Sequence, residues 1–223
     1  MKMSPILSTT PDTGLEVRAV SCYRNNRLLL DKVNFCVLPG EIVQIVGKNG
    51  SGKTTLLRIM MGLIPIASGE ILYDGESMTE NKDNFYRNLF YLGHQIGIKA
   101  ELTVKENLIF SWRMNANRNE IEIVLDRLEL LAYQDQPCRY LSRGQCQRVA
   151  LAQLILSQAK WWFLDEPFCA LDQKAQLLMQ ALFDEKCKKG GGIVFSSHQA
   201  LLISKLPVRM VDLERFRVVA TAL

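Results

Sequence analysis

Hydrophobic and polar residues follow two different patterns in this chain, and each pattern predicts a different kind of strand. Residues 15–23 and 28–38 alternate between apolar and polar positions, and Asn25-Asn26 stands between them, which predicts two strands joined by a tight turn. Nearly uninterrupted apolar runs occupy residues 41–46, 161–164 and 193–195. Short runs of this kind are typical of strands that are covered on both faces of a sheet. Further short strands are predicted at 70–73, 89–92, 208–213 and 216–220.

A helical repeat of apolar residues predicts helices in the rest of the chain. Between about residues 97 and 140, Val104, Leu108 and Trp112 share one helical face. A second face in the same region comprises Ile121, Val124, Leu125, Leu128 and Leu131. Further helices are expected over 54–61, from 142 to about 157, and from about 172 to 188. Buried strands that alternate with helices indicate an α/β domain.

Composition favours one globular domain without a strongly charged surface. Of the 223 residues, 48% are hydrophobic, and the net charge of +4 does not indicate a nucleic-acid partner. The six cysteines are scattered, with no His at ligand spacing, so we interpret them as reduced thiols of a cytosolic protein rather than as disulfides or a metal site. No apolar run approaches the ~18 residues of a membrane span. Residues 1–14 are expected to be a mobile leader before a domain that covers residues 15–223.

A glycine-rich loop interrupts the apolar pattern between a predicted strand and a predicted helix. Residues 47–54 read Gly-x-x-x-x-Gly-Lys-Thr, which in this context predicts a phosphate-binding loop rather than a flexible turn. Glycines allow the backbone N–H groups to approach phosphate oxygens, and the helix presents its positive end to the same anion. Lys53 is expected to contact the β- and γ-phosphates, and the Thr54 hydroxyl to bind Mg²⁺. The expected nucleotide contacts in this loop are Gly47, Asn49, Gly50, Ser51, Gly52, Lys53, Thr54 and Thr55.

Two carboxylates follow the buried run at 161–164. Asp165 and Glu166 would lie at the carboxyl end of that strand, beside the phosphate loop. Asp165 is expected to hold Mg²⁺, directly or through water, and Glu166 to orient or deprotonate the attacking water. Taken alone, an apolar run that ends in Asp-Glu-Pro is often only a strand exit, so this prediction depends on the loop.

The segment Leu141-Ser142-Arg143-Gly144-Gln145 resembles the signature sequence of ATP-binding-cassette (ABC) ATPases, which is normally Leu-Ser-Gly-Gly-Gln. The resemblance covers residues 15–223. It implies a P-loop ABC nucleotide-binding domain of α/β class, with an N-terminal antiparallel β-subdomain and an inserted helical subdomain at about 96–157. Ser142, Gly144 and Gln145 would form a second phosphate-binding corner at a helix start. In this family the two corners meet across a homodimer that buries ATP between two chains.

The same resemblance assigns roles to four further residues. Tyr23 resembles the aromatic residue that stacks on adenine, and Gln95 stands where the glutamine loop of the family begins, with a catalytic and Mg²⁺-binding role. Asp172 belongs to a segment that resembles the D-loop and is assigned to the nucleotide site, although Cys169 replaces a frequent Ser there. His198 resembles the catalytic switch histidine.

Three stretches narrow the resemblance to the ATP-binding subunit of cytochrome c maturation, also called the heme exporter. They are Leu92–Leu108, Leu164–Asp172 and Ser196–Gln199. The resemblance implies integral membrane partners, a position at the cytoplasmic face of the bacterial inner membrane, and ATP-driven dimer closure coupled to heme delivery or to release of a heme chaperone. Trp112 is the expected membrane-subunit contact, unless it fills the core of the helical subdomain. A soluble ABC ATPase that acts on nucleic acid or ribosomes, a subunit of another small-substrate transporter, and a metabolite kinase remain open as alternatives.

Overall fold

The computed structural model describes residues 13–80, 82–93, 97–111, 118–169, 171–198 and 205–216. Within these residues the chain forms two sheets, and helices cover the second sheet. The strands are β1 (Leu15–Arg24), β2 (Arg27–Val37), β3 (Ile42–Val46), β4 (Ser68–Tyr73), β5 (Glu76–Ser77), β6 (Leu89–Leu92), β7 (Trp161–Leu164), β8 (Gly192–Ser197) and β9 (Val208–Asp212). The helices are α1 (Lys53–Met60), α2 (Lys82–Arg87), α3 (Val104–Ser111), α4 (Arg118–Arg127), α5 (Arg143–Leu156) and α6 (Gln173–Lys188).

The first sheet is antiparallel, with strand order β2-β1-β4-β5. Its hairpin turns at Asn25 and Asn26, whose φ angles of 49° and 57° place both residues in the left-handed region. Asparagine tolerates this conformation, and two such residues give a turn whose twist matches that of the flanking strands. The turn sets Arg24 opposite Arg27 and Tyr23 opposite Leu28, at the end of the sheet.

The second sheet is parallel, with strand order β6-β7-β8-β3-β9. All four residues of β7 are buried because their side chains enter two different cores. Trp161 and Phe163 pack with α1 and the antiparallel sheet, whereas Trp162 and Leu164 pack with α3 to α6. Two-sided burial explains why this strand is apolar at every position. Parallel pairing of β7 with β8 and of β8 with β3 brings the carboxyl ends of these three strands to one edge of the sheet.

The structure departs from the sequence prediction in several places. Helix α2 and strand β5 were not expected, and α2 buries one side chain, Phe85, too few for a repeat to be visible. The described residues of 97–140 include α3, α4 and two short 3-10 turns, Leu131–Tyr133 and Cys138–Tyr140. Leu131 was expected on a buried face but stands in the first of these turns and is 37% exposed, because α4 has already ended.

The two ends of the chain lie largely outside the described residues. A final strand at 216–220 was predicted, but Phe216 ends a 3-10 turn, Leu213–Phe216, and the positions after it are not described. At the other end, the Gly14 N–H donates to Asp74 Oδ1 at 2.7 Å, which fixes the entry to β1. A mobile leader was predicted for residues 1–14, but Gly14 is held by this hydrogen bond. For residues 1–12, which the structure does not describe, the leader stays a prediction. Among the described helices, none has the length and apolar character that crossing a membrane requires.

Candidate active site

The phosphate loop connects β3 to α1 through residues 47–52. Gly52 is the N-cap of α1 with φ 102°, a conformation that favours glycine. A Cβ atom at Gly47 would lie 2.5 Å from Ser51 Oγ, so a larger residue would displace the loop. The buried Ser51 Oγ has no hydrogen-bond partner among the described residues. A loop of this shape, with an unsatisfied hydroxyl and the start of a helix, suits the oxygen atoms of a bound phosphate.

Lys53 is held inside this loop. Its Nζ donates to the carbonyl oxygens of Gly47 at 2.8 Å and Lys48 at 3.2 Å, and the residue is only 6% exposed. The two carbonyl dipoles face the ammonium and take the place of water molecules that burial removes. Lys53 Nζ also lies 3.4 Å from His198 Nδ1. The loop thus presents one fixed positive charge to the phosphate site.

Thr54 and Asp165 come from α1 and from the end of β7, and their side chains meet. Thr54 Oγ1 donates to Asp165 Oδ2 at 2.8 Å, and Ser196 Oγ donates to Asp165 Oδ1 at 2.6 Å. A hydroxyl and a carboxylate are oxygen ligands of the kind that Mg²⁺ prefers, so the pair fits this ion. Thr54 and Asp165 would hold it, and the bound ion would neutralise charge on the phosphates.

Ser196 has a positioning role that motif reasoning did not assign. Its hydroxyl donates to Asp165, and it accepts the N–H of Glu166 at 2.9 Å, so it orients two consecutive site residues. The signal was present in the sequence as a hydroxyl residue near the end of a buried strand. It could be interpreted only once β8 was known to lie beside β7.

Glu166 and His198 form a pair at the same edge of the sheet. Glu166 has φ 54°, in the left-handed region, which is unusual for a residue other than glycine. His198 Nε2 lies 2.9 Å from Glu166 Oε1. Because the Lys53 ammonium can only donate, a hydrogen bond between the two requires His198 Nδ1 to accept, and Nε2 is then the ring nitrogen that donates to Glu166. The imidazole therefore links the phosphate-site lysine to the carboxylate expected to act on water.

A cleft of about 430 Å³ runs from Glu166 along the loop. The described residues that line it are Arg24, Leu29, Asn49, Gly50, Gly52, Lys53, Thr54, Thr55 and Glu166. Tyr23 is not among them and is 60% exposed at the end of β1. Stacking of Tyr23 on adenine stays a prediction. Gln95 and Trp112 lie outside the described residues, as does Ala170 of the D-loop-like segment.

The signature-like segment lies at the start of α5, and none of residues 141–145 lines the cleft. Ser142 is the N-cap: its Oγ accepts the N–H of Gln145 at 3.2 Å, and Gln145 Oε1 accepts the N–H of Ser142 at 2.8 Å. This reciprocal pair is a capping box, which stabilises the helix end. Ser142, Arg143 and Gly144 are exposed, so the helix end faces outward.

Asp172 is the N-cap of α6 and lies outside the cleft. Its Oδ1 accepts the N–H of Ala175 at 2.7 Å, and its Oδ2 lies 4.0 Å from Arg148 Nη2 of α5. Arg148 also pairs with Glu129 at 2.6 Å, and Glu129 contacts Lys174. Asp172 therefore acts in this chain as a helix cap beside a surface charge network, and its predicted contact with nucleotide stays a prediction.

Comparisons with known proteins show the family to which the chain is similar. The sequence profile of the family described as ABC transporter matches residues 30–169. A relative from Aliivibrio fischeri, named cytochrome c biogenesis ATP-binding export protein CcmA, is 42% identical over 201 residues, which cover 89% of this chain and 98% of that protein. A protein of the same name from Haemophilus influenzae is 42% identical over 195 residues, covering 86% of this chain and 92% of that protein.

Solved structures show the same fold. An ABC transporter ATP-binding protein from Pyrococcus furiosus has a TM-score of 0.79 at 27% identity and covers 92% of this chain and 100% of its own. The ADP form of the ATP-binding cassette MJ1267 has a TM-score of 0.71 at 20% identity, covering 84% of this chain and 82% of its own, which supports the fold alone.

Proposed function

Because the chain belongs to the ABC transporter family of ATP-binding proteins, we propose that it is the ATP-hydrolysing subunit of a membrane complex for cytochrome c biogenesis. The chain is an ATPase, and membrane subunits and dimerisation are implied by the transporter family. The relatives' names support the cytochrome c role. The expected position is the cytoplasmic face of a bacterial inner membrane, bound through integral membrane subunits, with no nucleic-acid partner.

The proposed mechanism is supported by the positions of the phosphate loop and of the start of α5. The cleft contains the phosphate loop and Glu166, whereas Ser142 and Gly144 are exposed at a helix start outside it. A second copy of the chain would supply the missing corner, so each ATP would be bound by the phosphate loop of one copy and the α5 start of the other. ATP would then hold the dimer closed while its γ-phosphate is present. Closing and opening would be transmitted to the membrane subunits.

The residues of the cleft divide the work of hydrolysis. Lys53 and the backbone of the loop bind the phosphates, and Thr54 and Asp165 would hold Mg²⁺. Glu166 orients or deprotonates water, and His198 keeps that carboxylate in position through its Nε2 proton. We propose that the released energy drives heme delivery or the release of a heme chaperone.

The proposal is tested in a bacterium that lacks its own subunit of this kind. The chain and its Lys53→Ala variant are expressed at equal abundance with the matching membrane subunits, and c-type cytochromes are measured by their covalent heme. The wild-type chain is expected to restore them and the variant to fail. Tagged wild-type chain is also expected to co-purify with those membrane subunits. An active ATPase that restores nothing and co-purifies with the subunits of another transporter would overturn the cytochrome c assignment.

A further inference from the structure

Arg24 is a charged residue of the cleft that no motif assigned. It is the last residue of β1 and lines the cleft together with Leu29 and the phosphate loop, whereas its neighbour Tyr23 does not. Its guanidinium Nη1 donates to Thr55 Oγ1 at 3.3 Å. Thr55 belongs to the first turn of α1 and is only 4% exposed. Arg24 therefore reaches across the cleft from the antiparallel sheet to the helix that starts at the phosphate loop.

The two threonines after Lys53 show where along the nucleotide Arg24 lies. Thr54 directs its hydroxyl to Asp165, on the side where Glu166 is expected to act on the γ-phosphate. Successive residues of a helix point about 100° apart, so Thr55 faces a different direction, and its hydroxyl meets Arg24. Arg24 is thus placed away from the γ-phosphate and towards the part of the nucleotide that precedes it.

The charges of the cleft indicate what Arg24 would bind there. Among the described lining residues, Arg24 and Lys53 are the two cations, and Glu166 is the one carboxylate. Lys53 is enclosed by loop carbonyls, whereas Arg24 is exposed and its bond to Thr55 goes to a neutral hydroxyl. A guanidinium forms stronger hydrogen bonds with phosphate oxygens than with a hydroxyl.

We propose that Arg24 binds the α-phosphate of the nucleotide. The proposal rests on the ATP site described above and adds a contact from the antiparallel sheet to it. Because the α-phosphate is common to ATP, ADP and GTP, Arg24 would raise affinity for all three without selecting the base. It would also couple the end of β1 to nucleotide occupancy.

Nucleotide affinities of purified variants test this role. Arg24→Gln is expected to lower the affinities for ATP, ADP and GTP by a similar factor of about 10- to 100-fold. This is the range expected when a hydrogen bond to a charged group is lost. Arg24→Lys keeps the positive charge but lacks the planar guanidinium group. Its nucleotide affinities are expected to lie between those of Arg24→Gln and the wild-type chain. Arg27→Gln is the matched control, because Arg27 is the exposed cross-strand partner of Arg24 and does not line the cleft. It is expected to retain wild-type affinity.

Each other outcome identifies a different error. Weaker ATP binding with unchanged ADP binding would indicate that Arg24 contacts the γ-phosphate instead. Unequal effects on the affinities for ATP and GTP would indicate that it contacts the base. Unchanged affinity in Arg24→Gln, with loss in Lys53→Ala, would overturn the Arg24 proposal alone. If the wild-type chain itself binds no ATP, the proposed function fails. Arg24 is exposed, and circular dichroism of Arg24→Gln verifies that the fold is retained.

Discussion

His198 Nε2 lies 2.9 Å from Glu166 Oε1, and the other ring nitrogen lies 3.4 Å from Lys53 Nζ. The imidazole thus connects the cation that binds phosphate with the carboxylate expected to act on water. The connection joins residues from α1, the exit of β7 and the end of β8. A change in the charge of the phosphate bound at Lys53 would therefore alter the electrostatic environment of the ring and, through its hydrogen bond, that of Glu166.

Glu166→Gln is expected to separate nucleotide binding from hydrolysis. The amide oxygen can still accept from His198, so the geometry is retained, but the negative charge and the basic oxygen are lost. ATP affinity should stay near that of the wild-type chain, while turnover falls by about 100-fold or more. Phosphate release measures turnover, and light scattering after gel filtration measures the oligomeric state with ATP bound. The variant should form a dimer with ATP and Mg²⁺, and a chain that stays monomeric under these conditions would contradict the shared-site mechanism.

Lys53→Ala is expected to remove the stabilisation that ATP gives to the folded chain. In the wild-type chain, ATP at about 100 times its Kd should add about 2.7 kcal/mol to the free energy of unfolding. The variant lacks the buried ammonium that the phosphates require, so its thermal midpoint should not move with ATP. Differential scanning fluorimetry across an ATP titration makes the comparison. An equal shift in both chains would show that Lys53 does not contact the nucleotide.

Gly144→Asp is expected to damage turnover without damaging the fold. A Cβ atom at Gly144 would meet no neighbour within 4 Å, and the position is exposed in the first turn of α5. An acidic residue near a helix N-terminus is mildly stabilising, so the melting midpoint without nucleotide should be unchanged or slightly higher. The added charge would repel the ATP bound by the partner copy, and ATP-dependent dimerisation and turnover should both fall.

Ser142→Ala is the less informative variant of the same helix end. It removes the capping bond to the Gln145 N–H and is expected to cost about 1 kcal/mol of stability in addition to any phosphate contact. Comparison of the two variants therefore separates the structural role of the segment from its binding role. If Gly144→Asp retains wild-type turnover, the α5 start does not approach ATP.

The sequence predicted those features that depend on neighbours along the chain. The two-sided burial of β7 and β8 and the glycine loop of α1 each have a local pattern that one physical cause explains. Helix α2 has no such pattern because it buries little. Contacts between segments that are distant in the sequence could be predicted only in part. The acid pair after β7 could be placed by its strand, but the positioning role of Ser196 depends on which strands are adjacent.

Arg24 is a second residue of the nucleotide cleft whose role could not be predicted from the sequence. The family resemblance directed attention to the aromatic residue at position 23, whereas the hairpin geometry places the next side chain against Thr55. A strand end can direct either of two adjacent residues into a site, and a shift of register near Tyr23 makes this choice invisible in the sequence. The structure therefore adds a candidate that spacing alone does not supply.

Lys186 is expected to make stability depend on pH in the alkaline range. Its ammonium donates to the carbonyl of Ala159 and lies 4.9 Å from the centre of the Trp162 ring. Burial, and then the charge of Lys189, lower the pKa of Lys186 from 10.5 to about 8. Between these two values the unfolded chain binds more protons at this position than the folded chain, so the free energy of unfolding rises with pH. Well below pH 8 the group is protonated in both states and contributes no slope.

Urea unfolding of the wild-type chain and of Lys186→Met at several pH values from 7.5 to about 9 measures this contribution. The wild-type free energy of unfolding should rise relative to that of the variant, by less than the ~1.4 kcal/mol per pH unit that one titrating proton allows. Cys187, whose pKa burial raises to about 12, gives the opposite slope above pH 9 and largely cancels in the difference. Lys188→Met, at an exposed position of the same helix turn, is the matched control and should show the wild-type slope. An identical pH dependence in Lys186→Met and the wild-type chain would show that the Lys186 ammonium is hydrated in the folded protein.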